Sequence, residues 1–200
     1  MHPDPRFRWE DRAAMRAFVA ERSFGALFLE TPAGPRVAHV PVVVLDETRI
    51  GFHIARANAL VPHLDGARAL FVAQGPDAYV SPDWYGQGDQ VPTWNYVAVE
   101  LDGVARRTDA AGLLALIDAL SDAHERRLAP KPRWTRDKMT PGLVERMAGA
   151  IIGFTMEITA WRGTRKLGQN KGEAVRLRAA AGVEAAGEPA LATMMRAAGD

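Results

Sequence analysis

The sequence predicts a mainly β, α+β fold: an antiparallel β-barrel with peripheral and C-terminal helices. Short apolar runs that alternate with period two recur along the chain and are joined by short turns. A single long helix interrupts these strands late in the sequence. Successive strands lack the intervening helices of about 10–15 residues that a parallel α/β sheet requires, so a parallel fold is disfavoured.

The first half of the chain contains one helix followed by several strands. The helix is predicted over 11–21, because Asp11 can cap it and Met15 and Phe18 belong to one apolar stripe. The period then changes to two, and turns rich in Pro, Gly or Asp separate the predicted strands. These strands are 24–29, 36–45, 49–55, 69–73 and 78–80, with a short helix over 60–64.

The second half mixes strands and helices. Asp109 can cap a helix over 109–127 that is striped by Leu113, Leu116 and Leu120. Around it, the pattern predicts strands over 93–106 and 151–161, a Pro- and Lys/Arg-rich loop over 130–141 and a helix over 142–150. From Lys171 onward, Ala- and Arg-rich sequence broken by Gly182 and Gly187 indicates one or two terminal helices. We therefore predict a barrel domain over 1–170 and a helical extension over 171–200 packed on it.

Composition limits the classes of function. The 200 residues are 48% hydrophobic and 24% charged, as in ordinary globular domains, and the net charge of +1 favours neither nucleic acid nor an anionic membrane. The absence of cysteine excludes disulfides, iron–sulfur clusters and thiolate zinc sites, and fits a cytoplasmic protein. The polar segment 1–6 predicts no signal peptide, and no apolar run approaches the roughly 18 residues that span a bilayer.

Several common catalytic motifs are missing. Gly86–Val91 begins like a dinucleotide-binding fingerprint but lacks its third glycine and opens no helix. There is no Gly-Lys-Ser or Gly-Lys-Thr loop for a nucleotide triphosphate, and Ser81 does not lie in a nucleophile elbow. The five histidines form no His-x-x-x-His pair, so a zinc hydrolase is weakly supported. The sequence thus predicts neither a catalytic residue nor a metal ligand.

Polar clusters lie where predicted strands end. His53, Arg56 and Asn58 follow the third strand, and a guanidinium there could bind a phosphate. Taken singly, Arg56 is better explained as a surface residue and His53 as an interior histidine. The cluster over 166–171 follows the last strand and is equally compatible with a solvated loop before the next helix. With the aromatic turn over 81–85 and the segment over 91–97, there are four such clusters in one small barrel, which favours a ligand pocket.

The segment Val91–Val97 carries the most informative of these clusters. Period two places Thr93 and Asn95 on one face of a strand and Trp94 and Tyr96 on the other. Hydrogen-bonding groups on one face and large rings on the other suit the edge of a pocket for a flat ligand. The alternative is a barrel strand whose Asn and Thr side chains are satisfied internally.

Taken together, the clusters resemble the PaiB family, which is described as FMN-binding negative transcriptional regulators. The similarity runs in order from Arg6 to about Glu173 and, as a set, its motifs are highly specific. One departure is Gly168, where the family pattern has Ser. The segments that carry the resemblance are His53–Asn58, Gln74–Tyr85, Val91–Val97 and Lys166–Asn170.

The resemblance implies a split β-barrel that binds FMN as a homodimer, with the cofactor across the subunit interface. It places the strand end at His53–Asn58 and the strand at Trp94–Val97 near FMN. We expect the phosphate to contact cations, the pyrimidine edge to contact hydrogen-bonding groups, and the dimethylbenzene ring to contact apolar surface. The candidate cofactor-binding residues are His53, Arg56, Asn58, Thr93, Trp94, Asn95, Tyr96, Lys166, Gln169 and Asn170. Of these, Arg56 and Lys166 suit the phosphate. The pyrimidine edge suits Thr93, Asn95 and Gln169. The dimethylbenzene ring suits Trp94 or Tyr96.

The function implied by the resemblance is negative regulation of transcription. Promoter DNA is expected to be a weak or indirect partner, because the chain shows no helix-turn-helix and almost no net charge, although basic residues cluster over 162–178. One alternative is an FMN-dependent oxidoreductase of the pyridoxamine-phosphate oxidase or flavin reductase type, in which the flavin performs the chemistry. A second alternative is a haem-binding protein on the same barrel, with His39, His53 or His63 as axial ligand.

Overall fold

The computed structural model describes residues 2–198. Its strands are β1 (Arg8–Trp9), β2 (Phe24–Thr31), β3 (Gly34–Val44), β4 (Arg49–Ala55), β5 (Arg68–Val80), β6 (Thr93–Arg107) and β7 (Ile151–Lys166). Its α-helices are α1 (Arg12–Arg22), α2 (Val61–Leu64), α3 (Ala110–Glu125), α4 (Leu143–Ala148), α5 (Glu173–Ala185) and α6 (Pro189–Ala197). Short 3-10 turns include Pro82–Tyr85, which follows β5.

The strands form one sheet that closes on itself. Its order is β1-β7-β4-β3-β2-β5-β6, and β6 also pairs with β7. The register of β2–β3, β2–β5, β3–β4, β4–β7 and β1–β7 is antiparallel throughout. Closure removes the exposed edges that an open sheet would leave. The predicted antiparallel split barrel with peripheral and C-terminal helices is therefore confirmed.

The chain divides into two compact units, and each unit contains parts of β5, β6 and β7. The first, which we call the barrel unit, comprises 16–73 and 100–161. Its core is filled from alternate positions of its strands, and Phe52 stacks on Phe154 with ring centroids 5.6 Å apart. The other fully buried side chains of this core include Leu27, Ile50, Phe71, Leu101 and Met156.

The second unit, which we call the pocket unit, comprises the residues up to Met15, those of Gln74–Val99 and those from Arg162 onward. In it, β1 pairs with the end of β7 through Arg8 and Trp9. Helices α5 and α6 are joined by Arg176, which is 5% exposed and donates to the carbonyl oxygens of Met195 and Arg196. This buried guanidinium of α5 donates to carbonyl oxygens in the last turn of α6, and so ties the two helices together.

Most predicted boundaries differ from the observed ones by a few residues, and three differences are larger. The predicted strands 69–73 and 78–80 are one strand, β5, because Gly75 and Pro76 remain extended within it. Strand β7 continues past 161 to Lys166, since its polar end pairs with β1. Gly182 lies inside α5 and does not interrupt it; the missing side chain leaves room for the indole of Trp84.

Other predicted features are present as expected. Asp109 caps α3 by accepting the backbone N–H of Gly112 at 2.7 Å, and Asp11 accepts that of Ala14 at the start of α1. Gly187, with φ of +98°, separates α5 from α6. Among residues 2–198, no helix is long and apolar enough to cross a membrane. The division into domains at residue 170 stays a prediction.

Candidate functional site

A cavity of about 250 Å³ in the pocket unit brings together four of the ten predicted site residues, Thr93, Asn95, Lys166 and Asn170. We call it the lysine pocket, because Lys166 and Lys171 both line it. The rest of its lining combines amide and hydroxyl groups with two aromatic rings and the N-terminal segment. These lining residues are His2, Asp4, Phe7, Tyr85, Gln90, Val91, Thr93, Asn95, Gly168 and Asn170.

Lys166 is the last residue of β7 and points its ammonium at neutral groups. Its Nζ lies 2.5 Å from Oγ1 of Thr93 and 5.8 Å from the ring centroid of Phe7. Burial lowers the pKa of Lys166 below its ordinary value, since desolvation penalises the charged form. Among the described residues, no carboxylate forms an ion pair with this lysine, so its charge is available to an anion.

Asn95 forms the inner wall of the lysine pocket. It is only 2% exposed and follows Thr93 by two positions on β6, so both side chains lie on the same face. Gly168 lies opposite, with φ of +86°, and a Cβ there would be 3.8 Å from Nδ2 of Asn95. The left-handed backbone and the missing side chain at 168 bring this loop close to the amide.

Lys171 and Tyr85 complete the cationic side of the pocket. The Nζ of Lys171 donates to Oε1 of Gln90 and lies 4.8 Å from the ring centroid of Tyr85. Tyr85 is 5% exposed, and burial raises the pKa of its phenol, which stays neutral at physiological pH. Arg178 of α5 holds the Tyr85 carbonyl oxygen through Nε at 3.1 Å and Nη2 at 2.7 Å.

The two remaining predicted residues of this loop have different surroundings. The side chain of Gln169 accepts the backbone N–H of Leu167 at 2.7 Å and donates to the carbonyl oxygen of Arg165 at 2.5 Å. Its amide thus closes the turn after β7. Asn170 lines the lysine pocket beside the two lysines.

Trp94 and Tyr96 point to the opposite face of β6. They line a separate groove of about 300 Å³ together with Gln74 and Asp77. Trp94 is 55% exposed and meets the ring of Tyr79 edge to face at 6.4 Å. The alternation of side chains along β6 therefore places Thr93 and Asn95 at the lysine pocket, and Trp94 and Tyr96 at the separate groove.

The first predicted cluster belongs to the barrel unit. Asn58 accepts the backbone N–H of Leu60 at 2.9 Å and forms a local turn. Arg56 donates to the carbonyl oxygens of Gly149 and Ile151, at 2.7 and 3.3 Å. The Nδ1 of His53 is buried and has no hydrogen-bond partner within residues 2–198. None of the three lines the lysine pocket, and their contact with FMN stays a prediction.

Sequence reasoning missed Lys171, Tyr85, Gln90 and Phe7 as site residues. Two signals were available: Lys171 ends the polar run that begins at Lys166, and Tyr85 ends an aromatic turn within a motif of the resemblance. Phe7 carried no such signal, because an isolated aromatic near a chain end is usually a packing residue.

The residues of the lysine pocket suit a flavin nucleotide. Two ammonium groups with neutral partners suit a phosphate, the amides of Asn95 and Asn170 suit a pyrimidine edge, and the rings of Phe7 and Tyr85 suit an aromatic system. Within the described chain, no group of His, Asp and Glu is arranged to hold a metal ion. Ligand pockets usually measure about 300–1,000 Å³, and this cavity lies just below that range.

Comparison with known proteins shows the family of the chain. Residues 1–160 match a family model described as "Putative FMN-binding domain". Protease synthase and sporulation protein PAI 2 of Bacillus subtilis is 31% identical over 160 residues, which are 78% of this chain and 76% of that protein.

Solved structures share the fold. A conserved hypothetical protein of Mycobacterium tuberculosis superposes with a TM-score of 0.61 at 15% identity, covering 86% of this chain and 94% of the other. The FAD and heme binding protein of Mycobacterium smegmatis gives 0.58 at 15% identity, covering 80% and 73% of the two chains. Family model, relative and fold agree that this chain is a member of the PaiB family of FMN-binding split-barrel proteins.

Proposed function

We propose that the chain acts as an FMN-dependent negative regulator of transcription, with the flavin held in the lysine pocket. The observation that carries the assignment of the site is the pair Lys166 and Lys171, whose ammonium groups contact a hydroxyl, an amide and aromatic rings. Cations without carboxylate partners bind an incoming phosphate without first losing an existing ion pair. Membership of an FMN-binding family supports the same ligand.

Each part of the pocket has a role in this proposal. The ammonium of Lys166 holds the phosphate, and Asn95 and Asn170 exchange hydrogen bonds with the pyrimidine edge of the ring system. Tyr85, a neutral phenol whose pKa burial raises further, provides a ring surface beside Lys171. FMN itself supplies the capacity to accept and release electrons. The protein positions it and fixes its electrostatic surroundings.

A comparison of FMN with riboflavin tests the placement of the phosphate. Riboflavin lacks the phosphate, so the wild-type protein is expected to prefer FMN by about tenfold or more, the value of a charge-assisted contact. Lys166→Met removes one of the two ammonium groups and keeps much of the apolar stem, and should clearly reduce that preference. Lys138→Met, at an exposed lysine of the barrel unit, is the matched control and should retain it. Equal preference in Lys166→Met and wild type would place the phosphate elsewhere.

We further propose that FMN binds to a homodimer. The lysine pocket, at about 250 Å³, is smaller than most ligand sites, and a second copy of the chain is the partner that the family resemblance implies. The exposed rings of Trp94 and Tyr79, with Val91 at 75% exposure, supply an apolar surface for such contact. A second protomer would supply the remainder of the flavin site.

The regulatory role is expected to involve weak or indirect DNA binding. With a net charge of +1, the chain has little non-specific attraction for DNA, and contacts through the basic cluster over 162–178 should weaken steeply as salt rises. In the source organism, deletion of the gene should raise a defined set of transcripts, and the Lys166→Met variant should fail to lower them again. Unchanged transcripts, together with FMN-dependent NAD(P)H oxidation by the purified protein, would favour an oxidoreductase.

A further inference from the structure

Lysine is rare in this chain, yet two lysines meet in one cavity. Only four of the 25 Lys and Arg residues are lysines, namely Lys131, Lys138, Lys166 and Lys171. The last two line the lysine pocket, and among residues 2–198 no arginine lines it. A guanidinium binds phosphate well but keeps its proton, whereas an amine can lose its proton and act as a nucleophile. Lysines at this cavity therefore allow chemistry at the amine that arginine could not perform.

The amine of Lys166 has surroundings that favour its neutral form. Its Nζ lies 2.5 Å from Oγ1 of Thr93, a hydroxyl that can accept from an ammonium or donate to an amine. Asp4, whose carboxylate also lines the cavity, is already paired with Arg6 through Nε at 3.1 Å and Nη2 at 2.6 Å. Because burial also lowers the pKa of Lys166, a larger share of this amine is neutral than in an ordinary lysine.

Lys171 provides a second positive charge in the same cavity. Its Nζ donates to Oε1 of Gln90 and lies 4.8 Å from the ring centroid of Tyr85. Within the described chain it forms no ion pair with a carboxylate, so it can hold a phosphate group. The lysine pocket thus combines a nucleophilic amine with a cation that can bind a phosphate leaving group.

The other two lysines have ordinary surface surroundings. Lys131 forms an ion pair with Glu125. Lys138 is exposed in the 3-10 turn Arg136–Lys138 and donates to the carbonyl oxygen of Arg133. Neither lines the lysine pocket. They therefore serve as internal controls for any reaction that modifies lysine amines.

We propose that Lys166 is an acylation site, and that its amine reacts with a small acyl phosphate bound in the lysine pocket. The phosphate of the reagent binds Lys171. The neutral Nζ of Lys166 attacks the acyl carbon, so the N–C bond forms as the C–O bond to the phosphate breaks. The proton that Nζ loses leaves with the phosphate as hydrogen phosphate. A cavity of about 250 Å³ suits a reagent of this size.

The consequence for the flavin rests on the function proposed above. An amide carries no charge, so acylated Lys166 cannot hold the phosphate of FMN, and the acyl group occupies part of the cavity. Acylation of Lys166 and binding of FMN therefore exclude each other. The reaction itself does not depend on the flavin and is measured in flavin-free protein.

Peptide mass spectrometry of full-length, flavin-free protein treated with acetyl phosphate tests the reactivity. At about pH 8, Lys166 should be acetylated at least about fivefold faster than Lys138, since its amine is more often neutral and lies beside a phosphate-binding cation. In the chain unfolded by guanidinium chloride, the difference should disappear, because it arises from the folded cavity. Equal rates at the two lysines of the folded protein would overturn the proposal.

A reagent without a phosphate tests the role of Lys171. N-acetylimidazole transfers the same acetyl group, and the advantage of Lys166 over Lys138 should be smaller with it by about threefold or more. Lys171→Gln should reduce the advantage seen with acetyl phosphate and leave that seen with N-acetylimidazole unchanged. Lys131→Gln is the matched control and should change neither. Equal advantages with both reagents in the wild type, or no effect of Lys171→Gln, would overturn binding of the acyl phosphate.

Protection by FMN separates this proposal from the placement of the flavin. At about ten times its Kd, FMN should slow acetylation of Lys166 by about tenfold and leave that of Lys138 unchanged. Protein acetylated at Lys166 should in turn bind FMN more weakly than untreated protein. Selective acetylation of Lys166 that FMN does not slow would support the acylation site and contradict the flavin site. Protection of Lys166 by FMN without selective acetylation in its absence would do the reverse.

Discussion

At the scale of single residues, the site depends on lysines that are not neutralised by carboxylates. Ion pairs elsewhere in the chain, such as Arg136 with Asp118 and Arg196 with Glu184, satisfy cations at the surface. Lys166 instead contacts Thr93 and lies near a ring. Partial burial without a counter-charge is costly in the free chain, and an anionic ligand relieves that cost.

Lys166 should make FMN binding sensitive to alkaline pH. Because burial lowers its pKa below the usual 10.5, the ammonium is lost as pH rises through a range where an exposed lysine stays charged. FMN affinity should fall over that range in the wild-type protein and in Lys138→Met. In Lys166→Met this part of the pH dependence should disappear. Parallel titrations from neutral pH to about pH 10 measure it, and identical profiles for all three proteins would contradict the role of Lys166.

Burial of Lys166 affects the stability of the flavin-free protein in the opposite direction: stability should rise, not fall, at alkaline pH. A lysine whose pKa is lowered on folding destabilises the folded state while it is charged in both states. The free energy of unfolding of flavin-free wild type should therefore increase as pH rises through the lowered pKa toward 10.5, relative to Lys166→Met. Denaturant titrations at several pH values measure this difference.

The two faces of β6 predict different effects of substitution. Asn95→Ala should lower FMN affinity, with a modest cost in stability of about 1 kcal/mol. A fully buried tryptophan would cost about 3–5 kcal/mol on truncation, but Trp94 is 55% exposed, so Trp94→Ala should cost clearly less in the isolated chain. Paired melting and flavin titrations measure both. Loss of FMN affinity in a Trp94→Ala protein that light scattering shows to remain dimeric, with full affinity in Asn95→Ala, would mean that the faces are assigned the wrong way round.

At the scale of elements, period two was sufficient to predict which face of β6 is polar, because strand geometry fixes it. The lengths of the strands were harder to predict. Gly75 and Pro76 resemble a turn, yet β5 runs through them, and the polar end of β7 is a strand only because β1 pairs with it. Likewise, Tyr85 and Lys171 reach the lysine pocket from connecting segments, whose paths are set by tertiary packing that local sequence does not encode.

The packing of α5 against the 3-10 turn at Pro82–Tyr85 should be essential to the pocket. A Cβ at Gly182 would lie 2.3 Å from the indole of Trp84. Alanine is favoured over glycine inside a helix by about 1 kcal/mol, but overpacking costs about 1–3 kcal/mol, so Gly182→Ala should be destabilising on balance. It should also weaken FMN binding by displacing Tyr85.

Gly88→Ala provides the matched control for that substitution, because a Cβ at 88 meets nothing within 4 Å. Thermal melts and FMN titrations of the two variants give the comparison. A Gly182→Ala protein that is as stable as the control and binds FMN equally would show that this helix contact does not position the site.

At the scale of the whole molecule, closure of the sheet and family membership agree with the sequence-based prediction, since strand patterning and the ordered motifs both act over most of the chain. The composition of the site was only partly predictable. Thr93, Asn95, Lys166 and Asn170 meet in one pocket of one unit, whereas His53, Arg56 and Asn58 belong to the other. A single chain's sequence does not encode which protomer completes a shared site.

Dimerisation should depend on the exposed rings of the pocket unit. We expect light scattering to show a dimer at micromolar concentration for the wild type. Trp94→Asp should weaken association by about 30-fold or more, because a charge replaces an aromatic anchor of a kind that contributes about 2 kcal/mol or more. Leu128→Asp, at a residue that is 53% exposed in the barrel unit, is the control and should remain dimeric. A stable wild-type monomer would contradict the shared flavin site.

Flavin binding in the lysine pocket is tested most directly by an FMN titration of flavin-free protein, followed by the visible absorbance of the bound flavin. We expect one FMN per chain for the wild type and for Lys138→Met. We expect at least about tenfold weaker binding for Lys166→Met and Asn95→Ala, with circular dichroism spectra unchanged. Undiminished FMN affinity in both of these variants, or a purified protein that shows a Soret band and binds no flavin, would contradict it.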